Sequence, residues 1–192
     1  GGMLDDCASF GRDAALEARR RDNSATDLLS HTAMVEPSGD PLFQRLTAAA
    51  LPEVVRFGDV LFGETLRWGI KEMWMNVLQA GGSQFMHSHA NSFVSGIFYL
   101  TEAHPSARTV FLKRVGGDDF RFKNDSERAR TNPYNSERWV PPEIAPGDLL
   151  LYPSYLIHGV PPNQGGERVT VAFNAIPDQL DSQGYRIRFA PP

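Results

Sequence analysis

The sequence predicts a mainly β protein of jelly-roll type, braced by helices that precede the sheets. Three observations predict it. From about residue 67, short runs rich in β-branched and aromatic residues alternate with Gly, Pro and Asn breaks, with no helical interval between them. Before residue 66, apolar residues fall instead at helical spacing. The chain has 192 residues, of which 41% are hydrophobic and 22% charged, which suits one globular domain able to bury a core.

Taken in order, residues 3–22 read as a helix with a mixed surface, ending in the solvated Arg19-Arg20-Arg21-Asp22. Residues 23–39 are polar with Gly and Pro and read as a loop. Asp40-Pro41 starts a helix, with Asp as N-cap and Pro in the first turn. Leu42, Phe43, Leu46, Ala49 and Ala50 supply its apolar stripe. Pro52 is expected to open a second helix carrying Val54, Val55, Phe57 and Leu61, because proline suits a first turn and not an interior. Residues 1–66 are thus expected to brace, within the same domain, a β core over residues 67–192.

The strands of that core are expected at 69–78, 84–89, 94–101, 108–114, 118–123, 148–152, 156–160, 168–176 and 184–189. Residues 124–142 are polar, carry Pro133, Pro141 and Pro142, and read as a long loop or lid.

The bulk numbers exclude some functions. Nineteen Lys and Arg against 23 Asp and Glu give a net charge of −4, so no basic footprint for nucleic acid is present. No apolar run approaches a membrane span, and no basic segment followed by an apolar stretch marks a secretory leader. The single Cys7 forms no internal disulfide and fits a reducing, cytoplasmic setting. The expected partner is a small-molecule substrate, with neither nucleic acid nor membrane involved. Nothing in the sequence speaks to oligomeric state.

The chemistry lies in His87-Ser88-His89, a distant His158, and Arg168 beyond it. Two histidines two apart on a strand project from one face. Their imidazoles can converge on one ion, and a third from another strand can complete a face that leaves positions open. Arg168 and Thr170 share one strand face, and an antiparallel return can set the guanidinium beside that ion. A guanidinium fork matches a carboxylate bidentately. His31 and His104 lie in no motif and are expected at the surface. No Ser/His/Asp or Cys/His hydrolytic pattern and no phosphate-cradling Gly-rich loop competes.

Around these residues stand Trp74, Asn76 and Gly81, then Ser95-Gly96 and Tyr99-Leu100, then Gly147-Asp148-Leu149 and Pro153-Ser154. Leu156, Val160, Asn163 and Phe173-Asn174 complete the set. As a set, spread over about residues 73–176, this resembles the 2-oxoglutarate/Fe(II)-dependent oxygenases, in particular a group of small members with a His-x-His pair. The resemblance implies a double-stranded β-helix with Fe(II) at one mouth, and 2-oxoglutarate and O2 as co-substrates. It implies His87 and His158 as metal ligands. Arg168 would pair with the distal carboxylate of 2-oxoglutarate, Thr170 and Tyr99 would be its neutral partners, and Asn76 would face the co-substrate. The reaction it implies oxidises a substrate, usually by hydroxylation, while 2-oxoglutarate is decarboxylated to succinate.

The chain departs from the wider superfamily at one place. The usual facial triad is two histidines and a carboxylate, and His89 stands where the carboxylate would be. Either His89 ligates, leaving the ion its full double-positive charge, or it points away and water or an anion replaces it. Two rivals stand beside this reading. A cupin-type three-histidine dioxygenase fits the Gly81 to His89 spacing, but Phe93 and Val94 occupy the place of the cupin glutamate, and His158 lies too far from Gly147. Dependence on 2-oxoglutarate separates it. A non-catalytic jelly-roll binding module is the second, and metal content separates that.

Overall fold

The protein is described by a computed structural model, covering residues 28–113, 126–130 and 132–190. The helix expected at 3–22 and the strand expected at 118–123 lie outside the described residues. Among those described, one α-helix, α1 (Pro41–Phe62), accompanies eleven strands. The strands are β1 (Leu29–His31), β2 (Trp68–Leu78), β3 (Gln84–His87), β4 (Val94–Tyr99), β5 (Val110–Leu112) and β6 (Arg138–Trp139). They continue as β7 (Leu149–Pro153), β8 (Ile157–Val160), β9 (Arg168–Pro177), β10 (Gln179–Ser182) and β11 (Tyr185–Arg188).

From β2 to β9 the chain passes back and forth between two antiparallel sheets, with β1 added beside β2 and β6 beside β5. One runs β1-β2-β9-β4-β7, the other β3-β8-β5-β6, and β10 and β11 form a separate hairpin. This interleaving is the double-stranded β-helix. Two strands arise where the sequence reads as loop: β1 within 23–39 and the short β6 within 124–142. Both are only two or three residues long, so neither has the alternation that marks a strand; pairing with β2 and β5 creates them.

Period-two alternation sorts the large sheet. Along β9, Val169, Val171, Phe173 and Ala175 face one way and join the main core with Met73, Met75 and Val77 of β2. Arg168, Thr170, Ala172 and Asn174 face the other way, into the space between the sheets. Gly96 is required here: a Cβ on it would lie 2.2 Å from the Phe173 ring.

Helix α1 covers the outer face of the large sheet. Asp40 caps it, accepting from the amides of Leu42 (2.8 Å) and Phe43 (3.2 Å), and Gly63 closes it at φ 68°. The expected break at Pro52 does not occur: α1 runs through it. Phe43, Leu46, Ala50, Val54 and Gly58 form one buried stripe on both sides of the proline. Burying each large side chain contributes about 1.5–3 kcal/mol. Three of them outweigh the roughly 3 kcal/mol that an interior proline costs. Pro52 itself faces solvent, and Ala49, expected in the stripe, is exposed.

Candidate functional site

The small sheet builds one end of the site. In the antiparallel pairing of β3 with β8, His87 and His158 are direct register partners. His89 was expected on the same strand, but β3 ends at His87. The backbone leaves the ladder because the His89 amide donates to Ser154 O (2.9 Å), while Ser154 N donates to Phe93 O (3.1 Å). This loop, and not strand alternation, returns His89 to the pair. The ring centroids lie 4.4 Å (His87 and His158), 5.1 Å (His87 and His89) and 5.0 Å (His89 and His158) apart.

One nitrogen from each of the three imidazoles falls within a 4.8 Å group. His89 Nε2 and His158 Nε2 are 3.2 Å apart. Neighbouring ligands at roughly 2.0–2.1 Å from one ion are about 3.0–3.4 Å from each other. The donor set therefore fits a divalent first-row ion, for which neutral imidazole is a suitable ligand.

Electrostatics keep these rings neutral. Burial lowers His158 to about 3 and His89 to about 4, with the neighbouring imidazoles adding to the effect. Burial lowers His87 as well, opposed by its bond to Phe85 O. Two rings are fixed by carbonyls: His87 Nδ1 donates to Phe85 O (2.8 Å) and His158 Nδ1 to Leu156 O (2.9 Å). In both, Nε2 is left as the lone-pair nitrogen. The Tyr152 hydroxyl donates to His158 Nε2 (3.0 Å), and burial pushes this phenol up, so it keeps its proton.

The large sheet builds the other end. Arg168 starts β9 and is only 5% exposed, not a surface residue. One Nη donates to Thr109 Oγ1 (3.3 Å), and the guanidinium carbon stands 5.1 Å from the centre of the Tyr99 ring. Its Nε is buried with no hydrogen-bond acceptor. No carboxylate among the described residues pairs with it. A buried cation with an unanswered donor is costly unless an anion arrives.

One cavity is lined by the three imidazoles and by Asn76, Arg168 and Thr170. Thr170 is the register partner of both Asn76 and Tyr99, so the residues read from the sequence come together on one face. Tyr99 lies beside these residues as the register partner of Thr170. Its hydroxyl bonds Thr109 Oγ1 (2.8 Å), and its ring, not its hydroxyl, meets the guanidinium. The sequence reading missed Thr109 and Tyr152, which also line the cavity. A Thr just ahead of a three-residue strand gives no signal. Tyr152 stood in a run read only as a buried strand.

His31, expected at the surface, is 2% exposed, because β1 pairs with β2 and sets His31 opposite Asn76. His104 is exposed and caps a short 3-10 turn. Neither belongs to the three-histidine group. No helix among the described residues is long and apolar enough to cross a membrane.

Comparison with known proteins agrees with this geometry. Residues 72–174 match the sequence model of a family described as putative 2OG-Fe(II) oxygenase. None of the curated proteins matches the chain. Among solved structures, an oxidoreductase of the 2OG-Fe(II) oxygenase family from Burkholderia pseudomallei is similar at 15% identity and TM-score 0.56, covering 90% of this chain and 76% of that one. HygX from Streptomyces hygroscopicus, with nickel and 2-oxoglutarate bound, is similar at 13% identity and TM-score 0.58, covering 92% and 78%. A prolyl-4-hydroxylase from Pseudomonas putida is similar at 16% identity and TM-score 0.56, covering 90% and 85%. At these identities the likeness is one of fold.

Proposed function

The chain belongs to the putative 2OG-Fe(II) oxygenase family, and on that premise we propose that it hydroxylates a small-molecule substrate at a three-histidine iron centre. Its cofactors and co-substrates are those of the family: Fe(II), 2-oxoglutarate and O2. His87, His89 and His158 would hold the iron. Arg168 would receive the distal carboxylate of 2-oxoglutarate, with Thr170, Asn76 and Thr109 as neutral neighbours and Tyr99 supporting the guanidinium from behind. Bound iron supplies the activation of O2; 2-oxoglutarate loses CO2 to become succinate, and the substrate gains one oxygen atom.

One observation carries this reading: a buried guanidinium with an unanswered Nε, in the same cavity as three neutral imidazoles. It supports an anionic ligand that reaches from the metal to Arg168. Three neutral ligands leave the cation its full charge, which favours a dianionic co-substrate. Residues 67–192 would form the catalytic core, with the segment 1–66 as a brace within the same domain.

A recess of about 590 Å³ beside the site suits the body of a small apolar substrate. Trp139, Val140, Pro141 and Leu156 line it, and it shares Tyr152 with the metal cavity. HygX has also been solved with hygromycin B bound beside nickel and 2-oxoglutarate, which supports the small-molecule class.

Anaerobic titration of the Fe(II)-loaded protein with 2-oxoglutarate tests the reading. The expected result is a saturable metal-to-ligand charge-transfer absorption in the visible. Loaded protein that binds no 2-oxoglutarate would refute it.

A further inference from the structure

The third imidazole is held differently from the other two. His87 and His158 each give their Nδ1 proton to a backbone carbonyl. His89 Nδ1 meets no carbonyl; it faces Asn174 Nδ2 at 3.4 Å. Asn174 is 3% exposed, and its orientation is set from both sides. Glu72, its register partner on β2, accepts from Asn174 Nδ2 at 2.7 Å, and a carboxylate can only accept. Ser95, its register partner on β4, donates to Asn174 Oδ1 at 2.7 Å and also contacts Ser154 Oγ at 2.8 Å.

The amide therefore presents its second N–H to His89. A ring nitrogen that accepts has no proton, so a neutral His89 carries its proton on Nε2. That nitrogen lies 3.2 Å from His158 Nε2, which the Tyr152 hydroxyl also reaches at 3.0 Å. Asn174 thus donates both of its amide hydrogens, one to Glu72 and one to His89.

We propose that Glu72 is a positioning residue which, through the Asn174 amide, holds His89 in the tautomer that cannot ligate a metal. The proposal rests on the three-histidine centre of the preceding subsection. His89 joins the ion only when Asn174 turns over. Its Oδ1 then accepts from His89 Nδ1–H, and its Nδ2 donates to Ser95 Oγ. One proton leaves Nε2 and one arrives at Nδ1, so the ring stays neutral. The obstacle to this state is Glu72, whose oxygen would then face Asn174 Oδ1. Glu72 has somewhere to go: its side chain is 27% exposed and Lys71 Nζ is 3.4 Å from Oε1.

Two measurements test this. The first needs no metal: long-range 1H–15N correlation of the histidine rings in the metal-free protein at neutral pH. Expected are Nδ1–H tautomers for His87 and His158 and an Nε2–H tautomer for His89. Finding Nδ1–H on His89 overturns the proposal.

The second is Co(II) binding by calorimetry, with the d–d absorption spectrum as the reporter of ligand number. Glu72→Gln can donate to the turned amide, so it should bind Co(II) about tenfold tighter, within the range for residues that orient metal ligands. It should also gain an imidazole-type spectral change. Both gains should vanish in the Glu72→Gln/His89→Ala double variant. Simple loss of a nearby negative charge predicts the opposite sign. Weaker or unchanged binding in Glu72→Gln overturns the proposal. A wild type that binds no Co(II) would instead count against the metal centre itself, and the tautomer result would still stand on its own.

Discussion

Replacing Arg168 by Met should separate ligand affinity from stability, in opposite directions. Met fills much of the same volume without a charge. Among the described residues the wild-type guanidinium has one hydrogen bond, to Thr109 at 3.3 Å, and a buried Nε without an acceptor. Losing the charged partner of a buried carboxylate costs about 2–5 kcal/mol, which is about 30- to 5,000-fold in 2-oxoglutarate affinity. The ligand-free protein should not suffer, because the cation that goes is underpaired. A gain on the order of 1 kcal/mol is expected, equal to about 2–4 °C in Tm for a chain of this size. Calorimetry of 2-oxoglutarate binding to the Mn(II)-loaded protein reads the first effect, and thermal melts in chelator read the second. Wild type at about 100 times Kd should be stabilised by about 2.7 kcal/mol, and Arg168→Met at the same concentration by about 0.9 kcal/mol at most. Equal affinities in the two proteins would mean that no carboxylate reaches Arg168. A large fall in ligand-free Tm would mean that the guanidinium is structurally satisfied, and the reasoning from its unpaired Nε would fail.

Three other outcomes are expected. His87→Ala or His158→Ala should abolish metal retention after desalting, measured by elemental analysis, whereas His89→Ala should keep metal at reduced affinity. The metal-free protein should lose stability on acidification from pH 6.5, because His158, held down to about 3 by burial, stays neutral when folded while the unfolded chain takes up the proton. At pH 5 this one ring costs about 2 kcal/mol; melts should show that part of the loss absent in His158→Gln, and an unchanged profile would contradict it. Pro52→Ala should raise stability by about 1–3 kcal/mol by restoring an amide to the helix interior at an exposed position; no gain in a denaturant titration would show that the helix already accommodates the proline without cost.

The sequence alone determined what depends on short-range regularity. Alternation along 168–176 places Arg168 and Thr170 on one face, and the structure keeps them there, with Asn174 further along the same face. Breaks of Gly, Pro and Asn marked most of the strands, and Asp40-Pro41 marked the helix start, because caps and turns are chosen locally. His87 and His158 were legible as candidate ligands by residue type.

Only the tertiary structure decided the rest. The helix passes through Pro52 because an apolar stripe on both sides packs on the sheet, and that packing outweighs a local preference. β1 and β6 exist only as partners of longer strands. His89 reaches the cluster through loop bonds to the β7–β8 turn, not through the period of a strand. The Tyr99 ring meets the guanidinium while its hydroxyl meets Thr109, contacts that strand packing brings about. Glu72 and Asn174 lie far apart in sequence but are paired across two strands, which brings a carboxylate to the network behind His89. Sequence spacing carries no information about such contacts: register between strands is fixed by the burial of whole faces, and a side chain's partners follow from register.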